Sequence, residues 1–197
     1  MTRARLLRRL LLLCAVGLMA GCVSSPTVRF YRLDPVELSY QSDTGAGAIL
    51  ALGPLSLPDY LQRPQLVRRD RGAEMLVDEF NRWAEPLDEQ VSRIIAANVD
   101  GLADDVVVVL STRRTVTPDY RMFATVLRFD ADTDGLVELV IQWGITAAEG
   151  ATVVSPRTSR YQTRTAADDA GAMASAMSEL LAQFSRDVVG VFRDVGQ

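Results

Sequence analysis

Residues Arg121-Met122-Phe123-Ala124-Thr125-Val126-Leu127-Arg128-Phe129 are followed by Asp130-Ala131-Asp132-Thr133-Asp134-Gly135, and these by Leu136-Val137-Glu138-Leu139-Val140-Ile141-Gln142-Trp143-Gly144-Ile145. Two long runs rich in apolar and β-branched residues flank an acidic segment that closes on glycine, the pattern of a β-hairpin. Successive side chains of a strand point to opposite faces, so Val137, Leu139, Ile141, Trp143 and Ile145 share one apolar face. Such a face needs a second layer to cover it. Downstream, Thr152–Arg164 reads as a more polar strand, and Pro156 places it at a sheet edge. The chain then closes with Met173, Met177, Leu180, Leu181, Phe184, Val188 and Val191 at helical spacing. Thr165 and Asp168 form the cap pair expected for that helix.

Upstream of the hairpin, Val106–Leu110 is a β-branched run without polar interruption, which reads as a central strand buried on both faces. Before it, Leu87, Val91, Ile94, Ile95 and Val99 recur at helical spacing over about four turns. Pro86 fits the first helical position, where its missing N–H would have no partner, and Asp88 and Glu89 suit the first turn. Asn81-Arg82-Trp83-Ala84 runs extended into Glu85-Pro86. Pro58-Asp59-Tyr60-Leu61-Gln62-Arg63-Pro64 is a stiff turn leading into a short strand, Gln65–Arg68. Arg69-Asp70-Arg71-Gly72 turns the chain, and Glu74–Val77 pairs back. Ile49–Leu57 is another strand, with Gly53-Pro54 marking a bulge or an edge. Val28–Leu33 is a first strand ended by Asp34-Pro35, and a loop covers Ser39–Gly47. The sum is an α+β fold: a mixed, largely antiparallel sheet of about six strands with two long helices packed on one face.

The amino end has its own logic. Arg3, Arg5, Arg8 and Arg9 precede an apolar run from Leu10 to Ala20, the length of a signal-peptide core and too short to span a bilayer. Leu18-Met19-Ala20-Gly21-Cys22 then matches a lipobox, with Met19 where Leu is usual. The expected organisation is a lipoprotein signal peptide at residues 1–21, a tether at 22–27, and a single periplasmic domain at 28–197. Cys14 leaves with the signal and Cys22 is blocked by lipid, so no intrachain disulfide is available to the mature chain.

The full chain of 197 residues has 21 basic and 25 acidic residues, no histidine, and a formal charge of −4. Cleavage before Cys22 removes four arginines and no acid, taking the charge to −8. An acidic chain without lysine or histidine has no dense basic footprint for nucleic acid, and none for anionic lipid over its whole surface. Membrane attachment is left to acyl chains on Cys22, at roughly 0.8 kcal/mol per buried methylene. Catalysis has no visible agent, since a hydrolase needs a nucleophile with an activating base and no Gly-x-Ser-x-Gly elbow occurs. Asp168-Asp169 reads as a helix N-terminus. Asp130-x-Asp132-x-Asp134-Gly135 imitates an EF-hand start, but its twelfth position is Ile141 and its flanks are strands, so it reads as a solvated hairpin turn. Gly45-x-Gly47 lacks the strand–glycine–helix context of a dinucleotide site. The expectation is no enzyme, no metal and no cofactor. Tyr60, Leu61 and Trp83 stand out as large apolar groups beside prolines; they are either interface anchors or plugs at the rim of the sheet.

Pro58-Asp59-Tyr60-Leu61, Pro64-Gln65 and Arg82-Trp83-Ala84-Glu85-Pro86-Leu87 together resemble the signature of the ABC-type transport auxiliary lipoproteins, the PqiC-like family. The order of lipobox, Phe-Tyr-Arg-Leu strand, double motif, hairpin and terminal helix also fits, across residues 22 to about 193. The resemblance implies a lipid-anchored periplasmic accessory subunit working with an MCE-domain protein and an ABC permease–ATPase pair. Such systems move lipid between inner and outer membranes. The implied partner-binding residues are Pro58, Asp59, Tyr60, Leu61, Arg82, Trp83, Pro86 and Leu87, and homo-oligomers are compatible with it. Val23 follows the lipidated cysteine where inner-membrane retention would need Asp, so that sorting rule favours the outer membrane. The competing reading is a structural pilot lipoprotein for an outer-membrane assembly or lipopolysaccharide export machine.

Overall fold

The computed structural model describes residues 26–36, 47–103, 105–111, 116–167 and 169–195. The signal peptide, Cys22 and most of the Ser39–Gly47 loop lie outside the described residues. In chain order the elements are β1 (Arg29–Tyr31), β2 (Ala48–Ser56), a 3-10 turn (Asp59–Leu61), β3 (Gln65–Arg69), β4 (Met75–Trp83), α1 (Leu87–Leu102), β5 (Val106–Leu110), β6 (Tyr120–Asp132), β7 (Leu136–Ala147), β8 (Thr152–Arg164) and α2 (Ala170–Val195).

The hairpin strand β6 is the spine. Along one side it pairs antiparallel with β7, and β7 in turn with β8. Along its other side β2 pairs parallel from Leu50↔Tyr120 to Ser56↔Thr125, and β3 takes over at Arg68↔Ala131 and Arg69↔Asp132. The 3-10 turn between β2 and β3 therefore runs beside the middle of β6. The sheet extends from β2 to β5 and, separately, from β3 through β4 to β1. Among the described residues it has eight strands, close to the six or so expected. The two long antiparallel ladders dominate, and the parallel joins are short.

The expected apolar face is fully realised: Val137, Leu139, Ile141, Trp143 and Ile145 are all within 1% of complete burial. Helix α2 lays Met177, Leu180, Leu181, Phe184 and Val188 on it, with the Trp143 and Phe184 rings edge to face at 5.6 Å. Helix α1 covers β2 and β5 and packs against α2, so both helices occupy one face. A bulge between Val126 and Arg128 resets β6. Met122, Ala124 and Val126 are buried before it, Phe129 and Ala131 after it, while Leu127 is left exposed. That reset turns Asp130 onto the face opposite the helices. Gly135 closes the hairpin at φ +80°, and a Cβ there would meet the carbonyl of Thr165 at 2.2 Å, so only glycine fits.

Four local readings change. Val106–Leu110 is an edge strand, paired among the described residues only with β2 and exposing Val107. Its β-branched run marks a strand but not its neighbours, and one face rests on α1, with Val106 also near Val188, Val189 and Phe192 of α2. The cap of α2 is Asp169, whose Oδ1 accepts the N–H groups of Gly171 at 2.8 Å and Ala172 at 3.0 Å; Asp168 lies outside the described residues. Pro86 sits one position earlier than expected, at the N-cap of α1. Met75–Val77 of the expected Glu74–Val77 strand and Asn81–Trp83 belong to one strand, β4, because a bulge lets Asp78 Oδ1 accept the N–H groups of Phe80 and Asn81. The break near Gly53-Pro54 is as read: the β2–β6 register shifts between Leu52 and Leu55, and pairing to β5 ends at Leu52.

Candidate functional site

The two halves of the double motif are distant in sequence and adjacent in space. Pro58 starts the 3-10 turn, whose N–H groups at Leu61 and Gln62 return to the carbonyls of Pro58 and Asp59. Leu61 drops into the core, and Pro64 releases the chain into β3. The antiparallel β3–β4 pair then sets Gln65 opposite Arg82. Trp83 N–H donates to the Pro64 carbonyl at 2.6 Å and Ala84 N–H to the Tyr31 carbonyl at 2.8 Å, so β1, β4 and the turn are tied at one point. Gln90 of α1, fully buried, fixes the exit: its Nε2 donates to the Glu85 carbonyl and its Oε1 accepts Leu33 N–H.

Between the halves lies an open cleft of about 410 Å³, lined by residues of both, including Arg63, Pro64, Trp83, Glu85, Pro86 and Asp88. Prolines and the Trp83 edge make an apolar floor; Arg63, Glu85 and Asp88 put both signs of charge on the rim. Glu85 is held by Arg93 at 2.6 Å. A rigid, mostly apolar groove with a charged rim suits an extended or helical segment of another protein. Among the described residues no group of three or more His, Cys, Asp or Glu is placed to hold a metal ion.

The sequence-expected residues divide in this setting. Leu61, Trp83 and Leu87 are buried and serve as core, Pro58 and Arg82 are half-buried, and Asp59 and Pro86 are exposed. Tyr60 points the other way. Its hydroxyl donates to Asp130 Oδ2 at 2.5 Å, on the sheet face opposite α1 and α2.

Asp130 belongs to a network that the sequence does not reveal. It is not a solvated turn residue, as its place in the acidic segment suggests, but is fully buried, and its other oxygen accepts Arg69 Nε. Directly opposite on β7 stands Glu138, only 2% exposed. Like charges facing each other across a ladder repel. Here Glu138 Oε2 accepts Arg128 Nη1 at 2.6 Å, and its Oε1 accepts Gln162 Nε2 at 2.7 Å and Arg160 Nε at 2.9 Å. Arg69 Nη2, 3.8 Å from Glu138 Oε2, spans the two carboxylates. Burial alone would raise the Glu138 pKa, but the bonds from Arg128 and Gln162 and the charges of Arg128 and Arg160 outweigh it and hold the carboxyl below its ordinary value. Burial first, then the bond to the Asp130 carboxylate, push the Tyr60 hydroxyl well above its ordinary value. Tyr60 and Arg69 come from the turn and β3, so the network clamps one wall of the cleft onto β6 and β7. The only sequence trace of it is alternation: Phe129 and Ala131 facing the core place Asp130 opposite, but nothing announces burial there.

The described residues form a single mixed sheet with both long helices on one face and a cleft between the two motif halves. The chain belongs to the ABC-type transport auxiliary lipoprotein component family, whose model matches residues 31–189. It is 27% identical over 127 residues to the intermembrane transport lipoprotein PqiC of Escherichia coli K12, covering 64% of this chain and 67% of that one. A solved structure of an uncharacterised protein superposes with a TM-score of 0.71 at 20% identity, covering 84% of this chain and 98% of the other. One from Xanthomonas campestris gives 0.63 at 22% identity, covering 87% and 94%. These two likenesses concern the fold.

Proposed function

We propose that this protein is a lipid-anchored periplasmic accessory subunit of an MCE/ABC-type lipid transport system acting between inner and outer membranes. The chain supplies docking and leaves energy conversion to a separate ATPase. Acyl chains on Cys22 hold it at a membrane, the outer one under the sorting rule that Val23 meets, and the cleft between the motif halves receives a segment of the MCE protein. The observation carrying this is the convergence of Pro64 and Trp83, which turns two separated motif halves into one walled groove. Membership of a transport auxiliary family and likeness to an intermembrane transport lipoprotein support it. An acyl chain held between the helices and the sheet is less well served, because the gap among α1, β5 and α2 holds only about 10 Å³.

The test separates anchor from groove. Rim variants Arg63→Glu and Asp88→Arg are expected to lose the MCE partner in co-purification while staying in the membrane fraction. Cys22→Ser is expected to do the reverse. Recovery of a secretin or an outer-membrane β-barrel instead of the MCE protein would favour the pilot-lipoprotein role, and unchanged capture by both rim variants would remove the groove from the interface.

A further inference from the structure

We infer that the β1–β4 edge is a second membrane contact, one that fixes how the anchored domain sits on the bilayer. The inference rests on acylation of Cys22. Among the described residues, Phe30, Leu76, Val77 and Phe80 account for four of the eight exposed large hydrophobic side chains, and all four lie on these two strands. Of the nine residues of β4 only Trp83 is buried. Phe30 is 65% exposed and Phe80 45%. The register Arg29↔Asn81 and Phe30↔Arg82 places Phe80 beside the point where the chain enters β1.

The occupant follows from chain length and charge. Eight Cα-to-Cα steps lead from Cys22 to Phe30, a span of at most about 29 Å when fully stretched. A domain of this size is about 40 Å across, so the anchor keeps this edge near the bilayer. The opposite edge, β8, lies five strand spacings of about 4.8 Å further off in the row β1-β4-β3-β6-β7-β8. Segment 26–33 carries Arg29 and Arg32 and no acid, in an otherwise acidic chain. Asp34 pairs with Arg32 at 3.0 Å, but both side chains are more than 60% exposed, and such a pair is weak and readily exchanged for lipid phosphate. Aromatic rings that enter the headgroup layer beside arginines are the usual make-up of a peripheral lipid contact. A short tether gives this edge a millimolar effective concentration at the surface, so it needs little affinity of its own. The acyl chains retain the protein and the edge sets its tilt.

The experiment uses the full chain, processed in cells, with acyl mass on Cys22 verified, reconstituted in phosphatidylethanolamine–phosphatidylglycerol vesicles. Cys14 leaves with the signal and Cys22 is blocked, so a nitroxide reports only from Phe30→Cys, Phe80→Cys or Thr158→Cys on β8. Relative accessibility to oxygen and to a water-soluble nickel chelate gives depth. The expected oxygen-to-nickel ratio is several-fold higher at positions 30 and 80 than at 158, and Phe30→Ser returns the label at 80 toward the aqueous ratio without loss of membrane recovery. Equal aqueous ratios at all three positions on an acylated protein would overturn the edge contact and leave the anchor standing. Low accessibility to both reagents at 30 and 80 would mean that protein covers the edge, and would overturn it as well. An unmodified Cys22 would remove the anchor and the inference together.

Discussion

Strand β7 buries side chains on both faces, on opposite principles. On one, Val137, Leu139, Ile141, Trp143 and Ile145 meet helix α2 through apolar contact alone. On the other, opposite α2, Glu138 is buried nearly as deeply, beside Asp130 and under Arg69, Arg128 and Arg160. Dispersion and burial hold the first face, and no single partner is indispensable. The second stands only while each charge keeps its complement, because an unpaired buried charge is far more harmful than an unfilled apolar contact. The stable half of the molecule therefore carries, on its back, the device that fixes the motif-bearing half.

The largest effects test whether the two faces differ in kind. Trp143→Ala leaves a cavity under Phe184 and is expected to lower unfolding free energy by about 3–5 kcal/mol in urea titration. Arg69→Ala strips Asp130 of its cation and is expected to lose a similar amount, about 3–5 kcal/mol. The faces separate on repair. The combination Arg69→Met, Asp130→Leu, Tyr60→Phe removes the Asp130 cluster, leaves Glu138 with Arg128, Arg160 and Gln162, and is expected to return to within about 1 kcal/mol of the parent. Failure of that triple variant to recover would mean that the network contributes net stability, and the contrast would collapse.

Tyr60→Phe probes the link between the network and the cleft. The loss expected is about 1.5–3 kcal/mol, the range for a hydrogen bond to a charged group. In a double-mutant cycle with Asp130→Asn it should be strongly non-additive, since both changes strike one bond. Additive losses would show that Tyr60 holds the turn by packing alone.

What the sequence discloses follows the same division. The apolar face of β7 is legible because a period of two and a period of 3.6 are set by backbone geometry, and Val137 to Ile145 and Met173 to Val191 display them without interruption. Strand identity is legible at Val106–Leu110, but its place at the edge is not, since neighbours are chosen by the crossover through α1. Asp130 and Glu138 look like surface residues in any linear reading. Their burial depends on Arg69, Arg128, Arg160 and Tyr60 arriving from four separate segments, and on a bulge at Leu127 that moves Asp130 to the far face. The motif halves are visible as words, whereas the groove between them exists only once Trp83 is bonded to Pro64.

The smallest effect comes from Glu138→Gln, and its pH dependence is the informative part. In the folded chain the Glu138 carboxyl lies below its ordinary value of 4.5, because the bonds from Arg128 and Gln162 and the nearby cations outweigh burial. As pH falls, the unfolded chain takes up this proton before the folded one does. The stabilisation is therefore complete above about pH 4.5 and is lost as pH falls through the folded value. Removing the charge also relieves its repulsion toward Asp130, and Arg128 and Arg160 are open enough to water to regain solvation. The net loss at neutral pH is expected to be about 1 kcal/mol. It should shrink as pH falls through the folded value, below which the parent has itself given up the charge. Urea midpoints measured downward from pH 7 should thus converge for the two proteins. Parallel acid limbs would place the pH-sensitive group elsewhere and reduce the charged face of β7 to a set of bonds indifferent to its protons.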